Sequence, residues 1–218
     1  MVTTFWSVKG GVGVSTIAAL WALASSESAR ATMLVDLCGD QPAVLGQDPP
    51  DGPGISEWCR TAEADAAALE RIATAVTVDL AMIHRGRASW PETAAPLAGA
   101  LATIDREVVV DAGRPDGFTD DLLHRSDQTL LVVRACYLNL LAASRCDRTP
   151  DGVVFVRERG RSLGMADVEA VTGAPVVATI DCDPAVARSI DAGLATTRVP
   201  RSLLRALARA QPTGGTTP

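Results

Sequence analysis

The chain has 218 residues, 47% of them apolar and 21% charged, enough to bury one sizeable core and too apolar for a disordered tail or a small cross-linked scaffold. A net charge of −6 and a pI of about 4.9 argue against a specific nucleic-acid binder whose affinity rests on phosphate neutralisation, and no run reaches the ~20 apolar residues of a membrane span. Five scattered cysteines without a Cys-x-x-Cys pair, two histidines and no signal-peptide pattern over residues 1–9 point to reduced thiols in a cytoplasmic protein rather than to a metal shell or a secreted framework.

Short β-branched runs alternate with Ala/Leu-rich stretches at helical spacing, the pattern of strands covered by helices. In chain order the spacing predicts a strand at 2–8, a helix at 15–27, a strand at 32–37, a helix at 55–72, a strand at 76–83, a helix at 92–104 and a strand at 107–111. It continues with a helix at 118–125, a strand at 129–134, a helix at 137–146, a strand at 152–157, a helix at 165–171, a strand at 175–180, and helices at 184–191 and 201–210. Runs such as Val108, Val109, Val110 and Leu130, Leu131, Val132, Val133 are apolar on both faces and belong in the middle of a sheet. The predicted fold is α/β, a doubly wound, mostly parallel sheet with helices on both faces, in one domain over residues 1–210. Residues 48–54 form a Pro/Gly loop, and residues 211–218 have nothing to bury and read as a disordered tail.

Between the first strand and the first helix lies Lys9, Gly10, Gly11, Val12, Gly13, Val14, Ser15, Thr16. A glycine loop in that position turns successive backbone N–H groups around a phosphate, with the helix N-terminus adding partial positive charge; Ser15 can offer a hydroxyl to Mg²⁺. The bland alternative is a glycine turn made for close helix packing. Lys9 is the only lysine of the chain.

These residues resemble the deviant Walker A signature of the ParA/MinD family, Lys-Gly-Gly-x-Gly-Lys-(Thr/Ser)-(Thr/Ser), as part of a P-loop NTPase. The resemblance places Lys9 at the lysine that reaches across a nucleotide-sandwich dimer, whereas Val14 stands where that family carries the lysine bridging the β- and γ-phosphates. In switch I, Asp36 matches the first carboxylate of an Asp-x-Asp pair, but Cys38 replaces the aspartate that orients the attacking water; Asp40 either takes over that role or caps a loop. Asp111 closes a Walker B strand, and the resemblance gives it the holding of Mg²⁺ through water, with Ser15 and Asp36 as the other metal residues. The implied cofactor is ATP or ADP with Mg²⁺.

The similarity runs over roughly residues 2–205. The stretch Arg157, Glu158, Arg159, Gly160, Arg161 stands where the family often has an adenine-reading asparagine, and its arginines suit either a solvated loop or a grip on a partner or phosphate. In the last predicted helix Arg201, Arg205 and Arg209 share one face, which suits docking on the sheet better than the membrane anchor that ends MinD-type proteins. His84 and His124 read as structural or surface residues.

Two functions follow from the resemblance. With Val14 and Cys38 at catalytic positions, the first is a pseudo-ATPase or very slow ATPase acting as a homodimeric positioning or assembly factor, similar to the CpaE/TadZ type associated with pilus localisation. The second is an active dimeric ATPase that switches partner, membrane or nucleoid binding with nucleotide state. A small-molecule enzyme with a related phosphate loop, of the dethiobiotin synthetase kind, is a third class, for which the sequence shows no substrate pocket.

Overall fold

The computed structural model describes residues 1–48, 50–62 and 64–211. Its strands are β1 (Val2–Trp6), β2 (Thr32–Asp36), β3 (Thr74–Ala75), β4 (Leu80–Ile83), β5 (Glu107–Gly113), β6 (Gln128–Arg134), β7 (Gly152–Arg157) and β8 (Val176–Asp181). They form one sheet in the order β3-β4-β2-β5-β1-β6-β7-β8, parallel throughout except for the β3–β4 edge pair.

The helices are α1 (Val14–Glu27), α2 (Gln41–Leu45), α3 (Ile55–Trp58), α4 (Ala66–Arg71), α5 (Ala95–Thr103), α6 (Gly117–Leu123), α7 (Tyr137–Ala143), α8 (Met165–Thr172), α9 (Pro184–Asp191), α10 (Ala195–Arg198) and α11 (Arg201–Ala210). The strand period of two sends alternate side chains to opposite layers. Met33, Val35, Val108, Val110, Leu131 and Val133 pack with Leu97 and Leu122 on one face. Leu34, Val109, Leu130 and Val132 pack with α1 residues Ile17, Leu20 and Trp21 on the other. The doubly wound, mostly parallel architecture is therefore the one the apolar runs predict.

Three predicted elements differ. The helix at 55–72 is broken into α3 and α4, because side chains divert the backbone: Thr61 Oγ1 donates to the Trp58 carbonyl at 2.8 Å, and Asp65 caps a fresh start by accepting the Ala68 N–H at 2.6 Å. The strand at 76–83 shortens to β4, since Thr77 Oγ1 accepts the Leu80 N–H at 3.1 Å and folds the chain back onto β3. Gln211, read from the sequence as the first residue of a tail with nothing to bury, is itself buried; it accepts from Ser25 Oγ at 2.9 Å and donates to the Trp21 carbonyl at 3.0 Å. The remainder of the predicted tail, 212–218, lies outside the described residues. Gln211→Ala strands the Ser25 hydroxyl and is expected to lower the unfolding free energy by about 1–3 kcal/mol in urea titration.

Helix α11 docks Leu204 and Leu207 onto the α1 layer and leaves Arg201, Arg205 and Arg209 exposed, so its apolar side is already covered. No helix among the described residues is long and apolar enough to cross a membrane.

Candidate functional site

Strand β1 lies between β5 and β6. The chain leaves β1 toward β2 on one side and later passes from β5 to β6 on the other, so the carboxyl end of β1 opens at the switch point of the sheet, where open α/β folds bind ligands. The glycine loop sits there. Gly11 (φ +77°) and Gly13 (φ +97°) are left-handed, a conformation that costs an L side chain energy, and a Cβ on Gly10, Gly11 or Gly13 would meet nothing within 4 Å. The glycines thus serve the loop's shape and not close packing, which disposes of the packing alternative. Gly13 caps α1 without any side-chain bond, so the N–H groups of the first turn lack an intrahelical partner and a capping side chain. They face an open cavity of about 660 Å³ lined by Gly10, Gly11, Val14, Cys38, Asp40 and Arg114, among others.

Val14 is 7% exposed and packs with the α1 apolar layer, bringing no charge to the loop. Lys9 is exposed and forms no salt bridge among the described residues. Val12 is buried, and Ser15 and Thr16 are half-buried.

Behind the loop, register places Asp36 of β2 opposite Asp111 of β5, and both are fully buried. Asp36 accepts backbone N–H bonds from Cys38 (2.9 Å), Gly39 (2.7 Å) and Gln41 (3.1 Å). Burial, with the neighbouring Asp111 charge adding to it, pushes its carboxyl up to about 6 against the pull of those bonds. Asp111 Oδ1 accepts from the Cys38 thiol at 3.5 Å and the Gly113 N–H at 3.2 Å; Oδ2 accepts from Gln41 Nε2 at 2.8 Å. Burial raises the Asp111 carboxyl as well, and the nearby Gln41 amide and Ser15 hydroxyl pull against that shift. Burial and the surrounding carboxylates push the Cys38 thiol far up, so Cys38 is a neutral donor with no basic function.

Asp36, Cys38 and Asp111 offer ligand atoms within 4.8 Å of one another. All four carboxylate oxygens nevertheless already receive donors, and Mg²⁺ demands a near-octahedral oxygen shell. Asp36 and Asp111 lie together behind the loop with Cys38, and in this arrangement their donor-laden oxygens do not fit a divalent ion. Asp40 begins α2 yet caps nothing with its side chain; it is exposed on the cavity wall.

Gln41 is the member that sequence reasoning missed. Nothing in its spacing marks it, and it enters only because Gly39 (φ +94°) turns the chain back over Asp36. The arginine stretch is mostly self-paired: Arg157 grips Asp181 with two bonds of 2.6 and 3.0 Å, and Arg161 pairs with Glu158 at 2.8 Å. An adjoining cavity of about 730 Å³ is lined by Trp6, Arg114 and His124, among others. There Arg148 is already bonded to Asp120 at 2.7 Å and His124 at 2.9 Å.

No family model and no curated protein matches the sequence. Solved structures do. A ParA family ATPase from Chlorobium tepidum superposes with a TM-score of 0.74 at 20% identity, covering 95% of this chain and 96% of that one. The fold is that of the ParA/MinD ATPases. MinD from Pyrococcus horikoshii, solved with Mg-ADP, gives a TM-score of 0.75 at 18% identity over 96% of this chain and 93% of that one. MinD from Aquifex aeolicus in complex with MinC gives 0.74 at 17% over 95% and 94%. The glycine loop borders the cavity, and the β2 and β5 carboxylates are buried behind it.

Proposed function

We propose that this chain binds ATP or ADP through its glycine loop, turns it over negligibly, and acts in the cytoplasm as a homodimeric positioning or assembly factor through a protein partner. The observation that carries this is an open, left-handed loop at the head of α1 beside a thiol that cannot serve as a base and a valine in place of the phosphate-bridging lysine. Residues 9–16 supply the seat: backbone N–H groups from the loop, and charge from Lys9. Efficient phosphoryl transfer needs both charge neutralisation and an oriented nucleophile, and here a valine stands in place of the bridging lysine and a neutral thiol in place of the orienting aspartate. The Mg-ADP complex of the Pyrococcus protein and the MinC:MinD complex of the Aquifex protein support the ligand class and a partner-binding mode; a pilus-localisation role of the CpaE/TadZ kind belongs to the same proposal.

An active ATPase is the second reading, favoured by one observation: Asp40 stands exposed on the cavity wall. Calorimetric titration with ATP and ADP, light scattering and phosphate release on the same samples separate the two. Saturable binding is expected, weakened about tenfold or more in Lys9→Ala, as loss of a charge-assisted bond implies, with phosphate release at background. Binding absent up to millimolar nucleotide overturns the proposal, and phosphate release that disappears in Asp40→Asn establishes the second reading.

A further inference from the structure

Gln41 is wholly buried. Its side-chain amide donates from one nitrogen to two acceptors, Asp111 Oδ2 at 2.8 Å and the Ser15 carbonyl at 2.9 Å. The orientation is fixed by chemistry, because the reversed amide would set its oxygen against a carboxylate and a carbonyl. Its position is fixed too, since its backbone N–H is bonded to Asp36 and Pro42 follows it at the start of α2. The amide is held there although its own Oε1 is buried without a partner, so the part of the side chain that this site engages is the NH₂ group.

We propose that Gln41 occupies the cation position at Asp111, making phosphate binding on the glycine loop independent of a divalent metal. An ion at Asp111 needs lone pairs turned toward it; here Gln41, Cys38 and Gly113 turn donors toward the same carboxylate. The ligand class is therefore a metal-free di- or triphosphate, held by backbone N–H groups and Lys9. This rests on the proposed nucleotide seat, but the role of Gln41 can be tested without any nucleotide.

Manganese(II) titrated into the protein alone, followed by electron paramagnetic resonance, reports the carboxylates directly. The wild type is expected to show no saturable site below about 1 mM, and Gln41→Ala, which withdraws the amide and leaves both carboxylates, at least a tenfold tighter one. Gln41→Glu, of the same shape with an oxygen in place of the NH₂ group, is expected to do the same if the alanine variant fails to fold. Calorimetric titration of ADP and of inorganic pyrophosphate into the wild type is expected to give affinities no tighter in Mg²⁺ than in EDTA. Saturable manganese binding by the wild type that Asp111→Asn removes overturns the inference. So does an ADP affinity at least tenfold tighter with Mg²⁺, or folded Gln41 variants that still bind no manganese. If ADP and pyrophosphate bind under neither condition, the nucleotide seat fails, and with it the metal-free ligand class, whatever the manganese titration shows.

Discussion

Asp36→Ala is expected to cost about 3 kcal/mol of folding stability near pH 4.5 and about 1 kcal/mol at pH 7.5. The larger figure reflects three backbone N–H groups, of Cys38, Gly39 and Gln41, that lose their acceptor at a net worth of roughly 1 kcal/mol each. The decline with pH comes from the carboxyl itself. Its folded value lies near 6, above the ordinary carboxylate value, through burial first and Asp111 second. A group raised by folding contributes stability that is fully present below its unfolded pKa and is lost as pH rises through its folded one. Between pH 4.5 and 7.5 that loss amounts to about 2 kcal/mol. Asp111, raised in the same direction, steepens the slope, and removing Asp36 relieves part of that. Urea unfolding of both proteins at the two pH values is the measurement. An equal loss at both, or a greater one at pH 7.5, refutes the account of the buried pair.

Val14→Lys is expected to tighten ATP binding about ten- to a hundredfold, the worth of one charge-assisted bond of roughly 1.5–3 kcal/mol. Val14 opens α1 and borders the cavity, so a lysine stem can run out beside the loop while its ammonium reaches the seat. The cost is the buried part of one valine, about 1 kcal/mol of stability. Val14→Met serves as control, since it matches the length without the charge; equal ATP affinity in the two variants would sink the explanation. Adding Cys38→Asp opposes the gain in the absence of a cation, because it sets a third carboxylate beside Asp36 and Asp111, within a ligand-atom cluster 4.8 Å across.

The sequence by itself determined the sheet. Runs such as Val108–Val110 and Leu130–Val133 can bury both faces only between two helical layers, and they do so. It also determined the loop, since glycines at 11 and 13 answer to backbone angles that no neighbour alters. Asp36 and Asp111 were legible as the acidic residues of two central strands. Their pairing was not, because it follows from the β2–β5 register, a contact between strands seventy-five residues apart. The separation of α3 from α4 was hidden as well, since Thr61 and Asp65 look like tolerable helix surface until their side chains take backbone partners.

Gln41 was the least legible of all. Its neighbours in sequence place it in a turn, and only tertiary structure sets its amide between Ser15 of α1 and Asp111 of β5. Local angles and periodicities are properties of neighbours along the chain, and a sequence displays them. Which donor faces which carboxylate depends on how three separate segments converge at the end of the sheet, and the closed network around Asp111 is decided there.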